Sequence, residues 1–351
     1  MNKRFFSHSR RLLGLLLIQR YIVAMHRDLS NTVLSTTTAQ AIASSTVIQS
    51  LWSGYGEILR LELAGAVHPS VILKHIKPPK AAVHPRGWNT DISHDRKVRS
   101  YQVEACWYQN YAHRCDSSCP VPDCLAVKVD VDETILLLTD LDAAGFDTRK
   151  ESVSIDDMHA CLDWLASFHA TFLGSSVEGL WECGSYWHLD TRPDELAALE
   201  DVRLRESASL IDGQLRSCRY QTLIHGDAKL ANFCFTGDTS KPRVAAVDFQ
   251  YVGRGCGMKD VAYFVGSCLR EDDCEALEDA LLDHYFCTLQ EQLAQKKPGF
   301  DADDLEAEWR ELYDVAWADF HRFLKGWSPG HWKINSYSEK LTRRVIERLQ
   351  A

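Results

Sequence analysis

One stretch limits this chain more than any other. Leu223-Ile-His225-Gly226-Asp227-Ala-Lys229-Leu-Ala-Asn232-Phe-Cys-Phe235 is followed, after a polar turn, by Val244-Ala-Ala-Val-Asp248-Phe-Gln250. Asn232 to Phe235 and Arg243 to Val247 read as two short apolar strands. Pairing them brings Asp227, Asn232 and Asp248 to one end of a hairpin. At this composition His-Gly-Asp-x-x-x-x-Asn arises by chance with a probability of roughly one in a thousand. The strand ending in Asp-Phe-Gln lowers that further.

Two acids and an amide at a shared point suit phosphoryl transfer, where positioning and charge neutralisation dominate over covalent chemistry. Asp227 is the candidate base that orients a hydroxyl and accepts its proton. Asn232 and Asp248 are candidate magnesium ligands, since that ion prefers one or two protein oxygens plus phosphate oxygens and water. His225 reads as a packed loop anchor rather than a proton shuttle. Gln250 fits either the metal end of the hairpin or an ordinary strand-end amide.

At 351 residues the chain is long enough for two lobes around a cleft. Residues 1–45 read as an N-terminal extension, 46–140 as a small sheet-containing lobe and 141–351 as a large helical lobe carrying the hairpin. In the first lobe, Leu59, Leu61 and Leu63 alternate with Arg60 and Glu62, Val71 to Lys74 is a second strand, and Thr134 to Leu138 a third. Pro78 to Asp95 reads as a loop. Arg99 to Ala112 reads as a helix with Tyr101, Ala105, Tyr108 and Ala112 inward and Glu104 on the same side. Ser154 with Asp157 is a capping signal for a buried helix whose stripe includes His169 as core. Further helices are predicted at 195–215, 259–269, 275–295, 304–324 and 339–349.

The pattern from His225 to Asp260 resembles the aminoglycoside phosphotransferase and choline kinase superfamily, nearest its choline-kinase-like branch with the ecdysteroid-kinase-like proteins. The resemblance implies an α+β, bilobal protein-kinase-like fold, a small antiparallel-sheet lobe and a large mainly helical lobe with ATP between them. It implies that Lys74 holds phosphates, with Glu104 as its ion-pair partner, and that Gly54 and Gly56 belong to a phosphate-covering loop. Thr139, Asp140 and Leu141 are similar to an adenine-contacting hinge, and Asp260 to a helix aspartate bracing the catalytic loop. Two departures stand out. Gly54-x-Gly56 is only a glycine pair, and Lys229 follows Asp227 where many small-molecule kinases of this superfamily carry other residues. A cation there neutralises charge on a transferring phosphoryl group. In choline kinase-like proteins aromatics of the C-terminal helices form the acceptor pocket. By that likeness Trp327 and Trp332, about the glycine-containing stretch 326–330, are candidates to receive an amine over their rings. Trp309, Tyr313, Trp317 and Phe320 recur at helical spacing and read as core.

The expected activity is therefore an ATP- and Mg2+-dependent transfer to a hydroxyl of an amino alcohol, sugar or sterol-like alcohol. A catalytically silent nucleotide-binding scaffold is the alternative. A protein kinase is the weaker one, because only about a dozen residues separate Asp248 from Asp260. The net charge of -10 argues against nucleic acid as a partner. Twelve cysteines in a chain of this size read as reduced thiols of an intracellular, cytoplasmic protein, and the group Cys115, Cys119, Cys124 near His113 as spare thiols rather than a zinc site. Residues 1–27 hold six Lys or Arg and no acid around an apolar run too short to span a membrane. They fit a mitochondrial-type presequence, a weak secretory signal, or a disordered extension ahead of a start at Met25. Oligomeric state is left open.

Overall fold

A computed structural model describes residues 27–51, 54–78, 90–238 and 240–350; the candidate targeting segment before residue 27, and Trp52 and Ser53 beside the glycine pair, lie outside them. The chain begins as helix α1 (Arg27–Thr37) and strands β1 (Ala41–Ser50), β2 (Gly56–Ala64) and β3 (Ser70–Ile76). Helix α2 (Thr90–Asn110) follows, then β4 (Cys124–Val129) and β5 (Thr134–Thr139). The strands form one antiparallel five-stranded sheet in the order β1-β2-β3-β5-β4.

Alternation decides which face each strand buries. Leu59, Leu61, Val71, Leu73, Ile135 and Leu137 share one face, and Leu29 and Val33 of α1 cover it. Part of the segment expected to be an extension is thus a lid on the sheet, and the boundary at residue 45 falls inside β1. The opposite face packs on α2. There the register sets Lys74 opposite Ile58 and Leu136, so its side chain shares the face of Ile76, Leu136 and Leu138 above Tyr101 and Tyr108. Helix α2 starts at Thr90, earlier than the periodicity predicts, and residues 90–95 are helix rather than loop.

The second lobe runs α3 (Ile155–Phe172), α4 (Pro193–Ala197), α5 (Val202–Ser217), β6 (Thr222–Ile224), β7 (Phe233–Phe235), β8 (Val244–Ala246), β9 (Gly253–Gly255), α6 (Met258–Cys268), α7 (Glu271–Lys296), α8 (Ala302–Trp327) and α9 (Ser336–Gln350). The Ser154–Asp157 capping box is present. Met158, Leu162, Leu165 and Phe172 of α3 are at most 1% exposed; each such burial contributes about 1.5–3 kcal/mol. The single helix predicted over 195–215 is two, because Asp201 caps α5 by accepting from Leu204 N. Trp327 ends α8 rather than lying in a loop. Gly326 is a close-approach glycine, not a turn: a Cβ there would meet Glu195 O of α4 at 1.9 Å. The architecture is the α+β, two-lobed one expected. Pairings β6–β9 and β7–β8 then place the chemistry.

Candidate functional site

Three anchors fix the loop after β6. Asp260, near the start of α6, accepts from His225 N (2.6 Å) and Gly226 N (2.9 Å), and His169 of α3 contacts the same carboxylate at 3.2 Å. His225 Nε2 lies 3.0 Å from Val247 O, tying the loop to the strand before Asp248. Gly226 has φ +77°, and a Cβ there would meet Tyr251 O at 2.2 Å, so only glycine lets the chain turn here.

That turn presents Asp227. Lys229 Nζ donates to its Oδ2 (2.8 Å), Tyr263 OH to its Oδ1 (3.2 Å), and Asn232 Nδ2 to its backbone O (2.8 Å) and Oδ2 (3.2 Å). Burial raises the Asp227 carboxyl above its ordinary range; Lys229 pulls it down and Asp248 pushes it up. Asn232 sits on a single 3-10 turn (Leu230–Asn232) leading into β7, and its backbone O accepts from Val247 N (3.0 Å).

Asp248 leaves β8 in a left-handed conformation (φ +70°) that a non-glycine residue adopts only under constraint. The constraint is visible. Phe249 is fully buried and stacks on Trp107 of α2 at 4.5 Å, so the helix that carries Glu104 also pins the segment that carries Asp248. Gln250 Nε2 donates to Asp248 Oδ1 (2.5 Å), while its Oε1 accepts from Lys97 (2.8 Å) and Ser100 (3.3 Å). Lys74 binds Glu104 through both carboxylate oxygens (2.9 and 2.7 Å) and lies 3.6 Å from Asp248 Oδ1. Although burial raises Asp248, Lys74, Lys97 and Lys229 outweigh it and hold the carboxyl below the usual range. Burial works against the Lys74 ammonium, but Glu104 and Asp248 together raise it. Burial also raises Glu104 against the pull of Lys74.

A cleft of about 390 Å³ gathers Lys74, Glu104, Asn232 and Asp248 with Thr139, Asp140 and Leu141. Its donor set suits a hard cation. The Asn232 amide nitrogen is committed to Asp227, leaving its oxygen; both close contacts of Asp248 fall on Oδ1, leaving Oδ2 on a side chain 34% exposed. The Asp140 side chain is held by Arg60 (2.7 Å) and Ser70 (2.7 Å), which fixes the strand end between the lobes. Gly54 and Gly56 form the tight turn joining β1 to β2, where Leu51 N donates to Gly56 O (2.7 Å). From that turn region Gln49 and Leu51 line the cleft, and the two glycines are not among its described lining.

The aromatic candidates separate. Trp327 stacks on Phe323 (5.7 Å) and packs in a cluster with Tyr263 and Phe320. Trp332 is 43% exposed and carries the Arg270 guanidinium 4.2 Å from its ring centre. Lys97, Trp107 and Tyr263 are site residues that sequence reasoning missed. Only Tyr263 had a signal, one helical turn after Asp260. All twelve cysteines are free. Among the described residues the metal-competent group is Cys183, His188 and Asp212, not the cysteines near His113.

The two lobes, the cleft between them and the hairpin at its floor make an α+β, protein-kinase-like arrangement. Residues 184–297 match the model of the ecdysteroid kinase-like family, so the stretch from His225 to Asp260 lies inside the match, on the branch the sequence suggested. No curated protein sequence matches the chain. Among solved structures, a type VIII aminoglycoside-3'-phosphotransferase is similar at 16% identity, over 83% of this chain and 99% of that one, with TM-score 0.45. A microcompartment-associated aminopropanol kinase is similar at 15% identity (91% and 93% covered, TM-score 0.47). The GDP complex of an aminoglycoside 2'-phosphotransferase-IIIa is similar at 11% (93% and 99%, TM-score 0.46). At these TM-scores the likenesses carry nothing about function. No helix of the described residues is long and apolar enough to cross a membrane.

Proposed function

We propose that this chain transfers the terminal phosphoryl group of ATP to a hydroxyl of a small molecule. The observation that carries this reading is the meeting of Asn232 and Asp248 with the Lys74–Glu104 pair in one cleft, with Asp227 joined to Asn232 at 3.2 Å beside it. In this reading Asp227 orients the acceptor hydroxyl and takes its proton, with Tyr263 and Lys229 fixing its two oxygens. Lys229 also neutralises charge as the phosphoryl group moves. Lys74, aimed by Glu104, holds the nucleotide phosphates. Asn232 and Asp248 hold Mg2+, which when bound offsets phosphate charge. Thr139 to Leu141 form the adenine side, and Asp260 and His225 brace the loop.

The acceptor side lies beyond Asp227, where Tyr263 joins a cluster with Phe320, Phe323 and Trp327. Lys333 stands over Tyr263 (5.0 Å) and Phe320 (5.5 Å), and burial lowers its ammonium to about 8. Those ring faces already hold the protein's own cation, as does Trp332. This favours a neutral alcohol, sugar-like or sterol-like, over a quaternary amine.

The test is a magnesium-ATP consumption screen across neutral, anionic and amine-bearing alcohols, with Asp227→Ala alongside. Acceptor-dependent turnover that vanishes in the variant is expected. ATP binding with no turnover on any acceptor would leave a silent scaffold instead.

A further inference from the structure

Segment 183–188 runs behind the catalytic loop. Gly184 N donates to Arg254 O (2.8 Å), Ser185 N to Tyr251 O (3.2 Å) and Tyr186 N to Gly226 O (3.0 Å). The side chains of Cys183 and His188 meet Asp212 of α5: His188 Nε2 lies 3.9 Å from Asp212 Oδ1, and Cys183 Sγ lies within 4.8 Å of a ring nitrogen of His188 and a carboxylate oxygen of Asp212. His188 and Asp212 are only 6% and 5% exposed, yet these facing atoms have no hydrogen-bond partner. Buried polar atoms are ordinarily satisfied, so an unsatisfied pair aimed at one point indicates that something belongs between them. The other Asp212 oxygen is spoken for by Arg216 at 3.6 Å. The Cys183 thiol has only a weak contact, 3.8 Å to Gly184 O.

We propose that Cys183, His188 and Asp212 bind one zinc-type divalent ion, with water at the fourth position. Sulfur, imidazole and carboxylate are the ligand types zinc takes, at bond lengths of about 2.0–2.3 Å, so a small contraction of the trio closes around it. Binding exchanges the Cys183 S–H bond for a sulfur–metal bond and releases the proton to solvent. Thiolate and carboxylate then balance the two positive charges. Burial and the nearby Lys259 lower His188 to about 4, and burial raises the Cys183 thiol to about 11, so the metal has to displace the thiol proton on binding. Lys259 forms an ion pair with Asp319 (3.1 Å), its Nζ making no hydrogen bond, and Arg216 is shared with Asp190 (3.3 Å). A cavity of about 120 Å³, lined by Glu182, Arg216, Arg254 and Lys259, reaches the trio at Cys183. A hard ion such as magnesium has no reason to choose a thiolate, so this site is distinct from the cleft. An ion here fastens segment 183–188, and through it the catalytic loop, to α5.

The test loads the full-length chain with zinc, removes the excess by gel filtration and measures metal per chain. About one zinc per chain is expected, falling at least tenfold in Cys183→Ser and in Asp212→Asn and unchanged in Asp248→Asn. Cobalt substitution supplies a second readout: a sulfur-to-cobalt charge-transfer band in the wild type, absent in Cys183→Ser. No retained zinc in the wild type, or equal retention in Cys183→Ser, would overturn the proposal and leave a bridging water as the occupant. Neither result depends on whether the cleft transfers phosphate.

Discussion

Two buried lysines meet opposite surroundings. Lys74 faces two acids, Glu104 at 2.7 Å and Asp248 at 3.6 Å, and the second acid is partly open to the cleft. Lys259 shares a single acid, Asp319, with Arg322 (3.1 and 2.7 Å), and all three side chains are at most 1% exposed. The first group carries spare negative charge beside open space. The second carries no spare acid, and Trp187 Nε1 also donates to Asp319 (2.9 Å). Burial of charge therefore does not mark function by itself. Surplus acid beside a cavity does, because it awaits a cation from outside, whereas a sealed ion group serves architecture and leaves a large penalty if broken.

Replacing a group at the open end should abolish chemistry and spare the fold. Asp227→Ala is expected to lower turnover by at least about a thousandfold through loss of base and positioning together. Its thermal unfolding midpoint should stay close to wild type. At the sealed end the order reverses. Asp319→Ala strands Lys259 and Arg322 without their acid and should cost about 3–5 kcal/mol in denaturant unfolding. Similar stability losses at both ends would erase the distinction. Lys74→Met should fall between them, with turnover down about a hundredfold from lost phosphate positioning. Its stability loss should be smaller than that of Asp319→Ala, since Glu104, already raised by burial, can take up a proton.

The smallest effect concerns pH. Asp227 must be ionised to accept a proton, and its carboxyl is raised by burial while Lys229 pulls it down. The acid limb of kcat/KM should therefore lie above the ordinary aspartate value of about 3.9. Removing the cation in Lys229→Ala should move that limb to still higher pH. A limb that moves down, or stays fixed, would detach Lys229 from Asp227.

What was legible in the sequence was local. His225, Asp227, Asn232 and Asp248 lie close together in the chain, so pairing of β7 with β8 brings Asn232 and Asp248 near each other, while Asp260 of α6 holds the loop that carries His225 and Asp227. Glu104 was legible because helical spacing put it on the Tyr101–Tyr108 side. Other parts depend on partners far apart in the chain. The Trp107–Phe249 stack, the cover that α1 lays on the sheet, and the trio Cys183, His188, Asp212 have no short spacing to betray them. Gly326 misled because a glycine needed for close approach to α4 looks the same in sequence as one that ends a helix. Asp201 misled in the other direction, a cap hidden inside a run that scans as one helix.

The central claim is that Asn232 and Asp248 form a cation-loaded nucleotide site beside Asp227, and calorimetric titration of ATP with and without Mg2+ tests it most directly. Affinity should rise with Mg2+ in the wild type and in Asp227→Asn, and that gain should disappear in Asp248→Asn and in Asn232→Ala. The same Mg2+ response in all four proteins would contradict the account.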